Sequence, residues 1–268
     1  MPLAICATPI GNLEDVTLRV LRELAESDVV LCEDTRRTRI LLERHGIATR
    51  VESFHRHNES ARTGAALARL QRGERLALVS DAGLPGVNDP GAILISDALA
   101  AGLPVTVLPG PSAIETALVA AGLLAERYQF VGFLPRREAE RRALARELAR
   151  WPHSVVAFES PRRLPASLAL LAEEFGDRPA AVCRELTKRF EEVVRGTLLE
   201  LAERFSEPPR GELTVVLGPA AAEETAVSEE ALAGVAELVA AGVGRRQAVD
   251  LVARLSATPR NSLYQASL

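Results

Sequence analysis

Residues 76–86, Leu76-Ala77-Leu78-Val79-Ser80-Asp81-Ala82-Gly83-Leu84-Pro85-Gly86, consist of a short apolar run that passes directly into a loop rich in glycine and proline. A strand that is apolar at every position is typical of a parallel sheet covered by helices on both faces. In an open sheet of this kind, ligands bind beyond the carboxyl ends of the strands. The stretch therefore predicts an α/β fold with a ligand site at the loop that follows this strand.

The same alternation of apolar strand and amphipathic helix extends over the first part of the chain. Alternating strands and helices are typical of a parallel sheet. We therefore predict an N-terminal α/β domain over residues 1–112 with a mostly parallel sheet. Its predicted strands are 3–8, 29–32, 51–54, 76–80 and 105–108, and its predicted helices are 16–25, 35–44 and 59–71.

A second α/β domain is predicted over residues 113–219, beginning with a small-residue helix at 112–122. Short links around Lys188 and around residues 207–210 join neighbouring strands, which favours a mixed sheet. Residues 220–224 have the composition of a linker. The remaining residues, 225–268, predict a helical tail with segments at 228–241, 244–255 and 259–267. The predicted strands of the second domain are 128–132, 155–158, 180–183, 192–195 and 213–217.

Composition excludes several classes of protein. No window approaches eighteen consecutive apolar residues, so no membrane span is expected, and the N-terminus lacks the basic region of a signal peptide. Three widely separated cysteines (Cys6, Cys32 and Cys183) predict a reduced cytoplasmic protein. The net charge of −4 gives no support for nucleic-acid binding, so any RNA contact must come from a local basic patch.

The chain lacks the common nucleotide and hydrolase motifs. No G-x-G-x-x-G follows the first strand, and there is no P-loop, no G-x-S-x-G and no H-E-x-x-H. His55 and His57 lie near Glu59, but alternating side chains of an extended segment point to opposite sides. No metal site is therefore expected. The unusual feature is that five polar or Gly/Pro-rich loops follow the five strands of the first domain, at 7–13, 33–36, 54–59, 80–91 and 108–112.

Five motifs at 7–17, 32–36, 79–85, 88–91 and 108–113, taken with four later motifs, carry a resemblance that covers residues 4–268. The later motifs are Gly132-Phe133-Leu134-Pro135, Phe158-Glu159-Ser160-Pro161-Arg162-Arg163-Leu164, Cys183-Arg184-Glu185-Leu186-Thr187-Lys188 and Gly211-Glu212-Leu213-Thr214. In order and spacing the nine resemble the ribosomal RNA small subunit methyltransferase I family, within the tetrapyrrole methylases. The resemblance implies two α/β domains with an S-adenosylmethionine cleft between them, a homodimer, and methylation of a cytidine ribose 2′-hydroxyl in the decoding centre of 16S rRNA.

The resemblance also implies which residues contact the cofactor. Backbone groups of Gly/Pro loops can approach a ligand closely, and acidic side chains suit the positive charge of the sulfonium. The implied cofactor residues are Pro9, Ile10, Asp81, Leu84, Ser112, Ala113, Leu134, Arg184 and Gly211.

Lys188 is the only lysine among 32 basic residues. An amine can lose its proton in a dry cleft, whereas arginine stays protonated. Lys188 is therefore a candidate general base or a group that orients the 2′-oxygen, with Glu33, Asp34 and His57 as rivals. The alternative is a chance survivor on a surface turn, or a phosphate contact.

Two other functions fit the same sequence. One is a small-molecule methylase of the same fold that acts on a tetrapyrrole and has no need of the basic tail. The other is an rRNA-binding assembly factor without catalysis. The tail carries Arg245, Arg246, Arg254 and Arg260 and resembles the helix-turn-helix-like extension of the family. It predicts either an RNA contact or a docking helix pair with a solvated basic face.

Overall fold

The computed structural model describes residues 2–124, 126–149, 151–220, 227–256 and 258–268. Within these residues the chain forms two five-stranded sheets with helices packed against them, followed by three further helices. The predicted α/β fold class is confirmed. None of the helices described is long and apolar enough to cross a bilayer.

The first sheet is entirely parallel, with strand order β3-β2-β4-β1-β5. Alternate residues of β1 and β4 belong to apolar clusters on opposite faces, because side chains alternate along a strand. This explains why β1, β2 and β4 are buried at every position. The strands are β1 (Leu3–Cys6), β2 (Val29–Cys32), β3 (Val51–Ser53), β4 (Leu76–Val79) and β5 (Val105–Leu108), and the helices are α1 (Leu18–Glu26), α2 (Thr35–Arg44), α3 (Glu59–Gln71) and α4 (Ala92–Ala100).

The second sheet is mixed, as the short links predicted. Its order is β6-β7-β10-β8-β9, and only the β6–β7 pair is parallel. Its strands are β6 (Tyr128–Phe133), β7 (Ser154–Glu159), β8 (Pro179–Arg184), β9 (Glu192–Thr197) and β10 (Leu213–Leu217), and its helices are α5 (Ala113–Ala121), α6 (Glu138–Ala149), α7 (Leu164–Phe175) and α8 (Leu198–Arg204).

Helix α5 follows the first sheet in the chain but packs on the second. Its Ala117 and Leu118 belong to the same apolar cluster as Val156 of β7 and Val216 of β10. We therefore propose the domain division between residues 112 and 113 that the sequence predicts. A short link thus places the carboxyl end of β5 beside the second sheet.

The predicted helix 16–25 begins two residues late in the structure. The Thr17 hydroxyl accepts a hydrogen bond from the Val20 amide at 3.2 Å and so caps α1, which begins at Leu18. A short 3₁₀ helix, Leu13–Asp15, precedes it. The capping threonine therefore sets the boundary that apolar spacing alone placed too early.

The tail contains α9 (Glu229–Ala240), α10 (Arg245–Ser256) and α11 (Arg260–Ala266). These three helices pack on one another around Ala231, Val235, Ala248, Val249 and Leu263. The tail therefore has a small apolar core of its own. The predicted linker 220–224 lies, apart from Ala220, outside the described residues.

Candidate functional site

The carboxyl ends of the first sheet's strands open on a cleft of about 640 Å³. One wall comes from the loops after β4 and β5, including residues 81–84, 87–89 and 109–113. The facing wall comes from the second sheet, including Phe133 and residues 158–161 and 211–214. The cleft therefore lies between the two halves, where the strand pattern predicted a ligand site.

Asn88 and Gly132 close one side of this cleft. Asn88, in the loop after β4, adopts the left-handed conformation that is uncommon for a residue other than glycine (φ 62°). Its side chain lies against Gly132 of β6, where an added Cβ atom would be only 2.8 Å from Asn88 Nδ2. The close approach of this loop to β6 therefore requires glycine at position 132, which also has a φ of 70°.

The loop between β8 and β9 closes the other side. The Asn12 amide donates a hydrogen bond to Thr187 Oγ1 at 2.9 Å, and thus joins the loop after β1 to the second sheet. Gly11 lies so close that an added Cβ atom would be 2.5 Å from Lys188 Cγ and 2.8 Å from the Leu186 carbonyl oxygen. Gly11 therefore has no room for a side chain.

Lys188 lies at the centre of this contact between the two halves. Its Nζ is 2.8 Å from Glu185 Oε1 and 2.9 Å from Glu212 Oε2. Burial lowers the pKa of Lys188, but the hydrogen bonds to Glu185 and Glu212 outweigh it and leave the pKa above its ordinary value. The ammonium therefore stays protonated at neutral pH. A protonated ammonium donates hydrogen bonds and accepts no proton, so we propose the role of orienting an oxygen in preference to that of a general base.

A smaller cavity of about 230 Å³ adjoins the main cleft and is lined by Lys188. The two cavities share Ile10, Arg37, Asp81, Ala82 and Glu212 as lining residues. Arg37, on α2, bridges the halves because its guanidinium is 3.6 Å from Asp81 Oδ2 and 3.8 Å from Glu212 Oε1. The pair of cavities thus offers a large compartment and a small one on either side of Asp81 and Arg37.

Carboxylates are concentrated on the first-sheet side of the cleft. Burial, followed by repulsion from Glu33, raises the pKa of Asp89 to about 6. Burial, followed by repulsion from Asp81, also raises the pKa of Glu33, although Arg56, His55 and Arg37 oppose the shift. Burial is the larger cause of both shifts, and repulsion between the neighbouring carboxylates adds to it. A cationic ligand would relieve that repulsion.

Most of the predicted cofactor residues line one or both cavities. Asp81 has a defined position, because its Oδ1 accepts a hydrogen bond from the Asp34 amide at 3.0 Å. Pro9 lines the smaller cavity only. The predicted residues that line the larger one are Ile10, Asp81, Leu84, Ser112, Ala113 and Gly211.

Leu134 and Arg184 lie behind the cleft, outside its lining. The Leu134 amide donates to the Phe158 carbonyl at 3.0 Å, and its carbonyl accepts from Arg163 at 2.9 Å. Arg184 forms an ion pair with Glu192 at 2.9 Å and donates to the Arg210 carbonyl at 3.3 Å. Both residues fix the strands and loops that shape the second wall.

Glu33, Asp34 and His57, the rivals of Lys188, also lie outside the lining of both cavities. Asp34 caps α2, and its hydrogen bonds with the Arg36 side chain and amide lower its pKa to about 2, which makes it a poor base. His57 is exposed, and its ring meets that of His55 edge to face at 5.9 Å. The expectation that these two rings point apart is wrong, because residues 56–58 form a turn.

Sequence reasoning missed three groups at this site: Arg37, Asp89 and Glu212. Arg37 directly follows the loop 33–36, in the first turn of α2. Its place just after the carboxyl end of β2 could have indicated a role at the site. Asp89 and Glu212 belong to the motifs 88–91 and 211–214, but the sequence assigned neither of them a role. No sequence signal shows that Arg37 and Glu212 meet across the cleft.

The residues present fit S-adenosylmethionine. The lining is mostly apolar, and a volume of about 640 Å³ is in the range of small-molecule and cofactor sites. Asp81 and Asp89 supply negative charge for a sulfonium and an ammonium group. The Pro109-Gly110-Pro111 turn offers backbone groups that side chains do not cover for the polar edge of an adenosine.

Comparison with known proteins gives the same picture. The sequence matches the family model of the Tetrapyrrole (Corrin/Porphyrin) Methylases over residues 2–202. It is 42% identical to ribosomal RNA small subunit methyltransferase I of Mesorhizobium japonicum, over 99% of this chain and 91% of the relative. It is 46% identical to the protein of that name from Mycobacterium bovis, over 99% of this chain and 94% of the relative.

Among solved structures, uroporphyrin-III C-methyl transferase from Thermus thermophilus, complexed with S-adenyl homocysteine, has the same fold. The TM-score is 0.58 at 22% identity, over 81% of this chain and 96% of that one. The family match, the relatives and the two-sheet cleft agree. The chain belongs to the tetrapyrrole methylases and, within them, to the ribosomal RNA small subunit methyltransferase I family of S-adenosylmethionine-dependent methyltransferases.

Proposed function

We propose that the chain transfers a methyl group from S-adenosylmethionine to the ribose 2′-oxygen of a cytidine in the decoding centre of 16S rRNA. The observation that carries the proposal is the pair of adjoining cavities. The larger one suits the cofactor, and the smaller one, lined by Lys188, suits the nucleotide. The names of the relatives support small-subunit rRNA as the substrate.

In this proposal each wall of the cleft has a distinct role. Asp81, Leu84, Ser112, Ala113 and Gly211 hold the cofactor between the two sheets. When bound, S-adenosylmethionine supplies an activated methyl group on a positively charged sulfur. The protein's task is then to align the attacking oxygen with that group, to exclude water and to accept the hydroxyl proton that the methyl group replaces. The Glu212 carboxylate, which lines both cavities, is the proposed acceptor of that proton.

Lys188 is placed to orient the oxygen. Its ammonium is held by two carboxylates and can still donate a third hydrogen bond, because an ammonium has three donors. In this proposal the substrate hydroxyl lies in the smaller cavity and accepts this bond through one lone pair of its oxygen. The other lone pair remains available to attack the methyl group. Glu212, which contacts both Lys188 and Arg37, keeps the ammonium in position.

The target nucleotide lies in structured RNA and must leave its stack to enter the cavity. Arg245, Arg246, Arg254 and Arg260 are exposed on the tail helices, with Arg260 paired to Asp250, and in this proposal they supply a basic face despite the net charge of −4. We propose this face as an RNA contact. The homodimer and the cytoplasmic location implied by the sequence belong to the same proposal, and the three buried free cysteines are consistent with that location.

Methyl transfer to candidate acceptors tests the proposal. The protein is incubated with radiolabelled S-adenosylmethionine and either small ribosomal subunits or uroporphyrinogen III. We expect label in the RNA of the subunits only. Label in the tetrapyrrole would establish a small-molecule methylase of the same fold, and subunit binding without cofactor affinity would establish an assembly factor.

A further inference from the structure

Arg189 and Phe190 lie at the tip of the loop between β8 and β9, directly after Lys188. Phe190 is 65% exposed, and the Arg189 guanidinium carbon lies 5.4 Å from the centre of its ring. A single exposed apolar residue is common on protein surfaces. An exposed ring paired with an exposed arginine at the edge of a catalytic cavity is not accounted for by packing.

The loop that carries this pair is rigidly held. The Lys188 amide donates to the Glu185 carbonyl at 3.0 Å, and the Glu191 amide donates to the Lys188 carbonyl at 3.1 Å. Glu185 and Thr187 adopt left-handed conformations (φ 52° and 65°), which cost free energy and persist only where surrounding contacts impose them. Phe190 is thus displayed on a fixed support, which lowers the entropic cost of using it to bind.

Exposed arginines accompany the smaller cavity that Lys188 lines, although Arg36 is paired with Asp34 and Arg37 with Asp81 and Glu212. Arg36 and Arg37, on the other side of the smaller cavity, have side chains that are 85% and 56% exposed, and Arg210 is exposed beside Gly211 of the cleft. Their exposed guanidinium groups can still contact the phosphates of an RNA strand that approaches Lys188.

We propose that Arg189 and Phe190 form a binding site for an unpaired nucleotide that flanks the methylated one. The Phe190 ring stacks on the base, and Arg189 contacts the adjacent phosphate. Stacking on an aromatic side chain tolerates any base, because every base has a π face. This inference rests on the proposed RNA substrate and adds a contact outside the cavity that holds the reacting nucleotide.

Three variants of the full-length protein test the inference. Phe190→Ala removes the ring, Phe190→Tyr restores it, and Leu199→Ala removes a comparably exposed apolar side chain (51%) on α8 as a matched control. For each variant, the Kd for a fluorescein-labelled single-stranded RNA, the KM for small ribosomal subunits and the Kd for S-adenosylmethionine are measured. We expect Phe190→Ala to raise the RNA Kd and the KM by about tenfold, consistent with loss of one stacked base, at unchanged cofactor affinity. Phe190→Tyr and Leu199→Ala should match the wild type.

Salt dependence separates the two residues. Arg189→Gln should lower the slope of log Kd against log salt concentration by about 0.7, the value for one phosphate contact on a single strand, whereas Phe190→Ala should leave the slope unchanged. Equal RNA affinity and KM for Phe190→Ala and the wild type would overturn the inference while the methylation assay still supported the enzyme. Dissociation of an oligomer by Phe190→Ala, seen in sedimentation, would also overturn it and assign the ring to a contact between copies. A wild type that binds no RNA would overturn both proposals.

Discussion

At the scale of single residues, Lys188 and Asp89 illustrate how neighbouring charges set a side chain's chemistry. Lys188 is the only lysine in the chain, and its titratable amine makes it a candidate general base on the sequence alone. Its two carboxylate partners raise its pKa and favour the protonated form, so the proposed role rests on the position of the ammonium. Asp89 shows the opposite effect, because burial, with repulsion from Glu33 added to it, raises the pKa of Asp89 to about 6.

Lys188→Arg should lower the rate of methyl transfer roughly a hundredfold, because the larger planar guanidinium cannot occupy the same position between Glu185 and Glu212. Cofactor affinity should change little. Single-turnover rates across pH, with calorimetric cofactor binding, measure both, and Arg19→Lys on α1 serves as a control for exchange of a basic side chain. An unchanged rate would make Lys188 a bystander, and loss of an ionisation near neutral pH from the rate profile would restore it as a base.

Asp89→Asn should stabilise the protein at pH 8 by about 1 to 2 kcal/mol, after allowance for solvent screening of a half-buried group. With its pKa raised to about 6, Asp89 disfavours the folded state once it ionises, because its carboxylate is then partly buried and lies near Glu33. The wild type therefore loses stability as the pH rises through 6, and the two proteins should converge below about pH 4. Urea unfolding at several pH values measures this, with the exposed Asp97→Asn as the control. A difference independent of pH would contradict the cause given.

At the scale of elements, strands and helices followed from the sequence far better than the loops did. Apolar runs such as Leu76–Val79 are easily predicted as strands, because a strand that is buried on both faces is apolar at every position. The conformations of Asn88, Glu185 and Thr187 could not be predicted, since left-handed backbone at these residues is imposed by contacts distant in sequence. The ion pair between Arg37 and Glu212 escaped prediction for the same reason.

Gly11→Ala tests the loop contact that closes the site. The added methyl group would displace the loop after β8, because it meets the Leu186 carbonyl oxygen at 2.8 Å as well as side chains. We expect turnover to fall at least tenfold, as small misplacements of catalytic groups do, and cofactor binding to weaken. Gly64→Ala, in open space inside α3, is the matched control and should leave turnover unchanged while raising stability by about 1 kcal/mol. Wild-type turnover in Gly11→Ala would show that the loop contact is dispensable.

At the scale of the whole molecule, two sheets form the cleft and the tail helices form a separate small core. The cofactor site draws its described lining from residues 10–214, so none of it belongs to the tail. The exposed arginines of the tail, proposed as an RNA contact, are thus separate from the cofactor cleft. In this proposal the body binds the cofactor and the tail contributes part of the RNA recognition.

Removal of residues 225–268 should leave the body folded and cofactor affinity near wild type. It should raise the KM for small subunits by tenfold or more, through loss of several phosphate contacts. Circular dichroism, calorimetry and steady-state kinetics measure the three properties. A normal KM would show that the tail takes no part in substrate recognition.

The central claim is that the methyl group goes to a cytidine 2′-oxygen in small-subunit rRNA. Mass spectrometry of nucleosides, after incubation of unmethylated small subunits with the protein and S-adenosylmethionine, tests it most directly. The claim predicts that 2′-O-methylcytidine accumulates with the wild type and not with protein that lacks cofactor. A methyl group on a base, on another nucleoside's ribose, or on no nucleoside at all would contradict it.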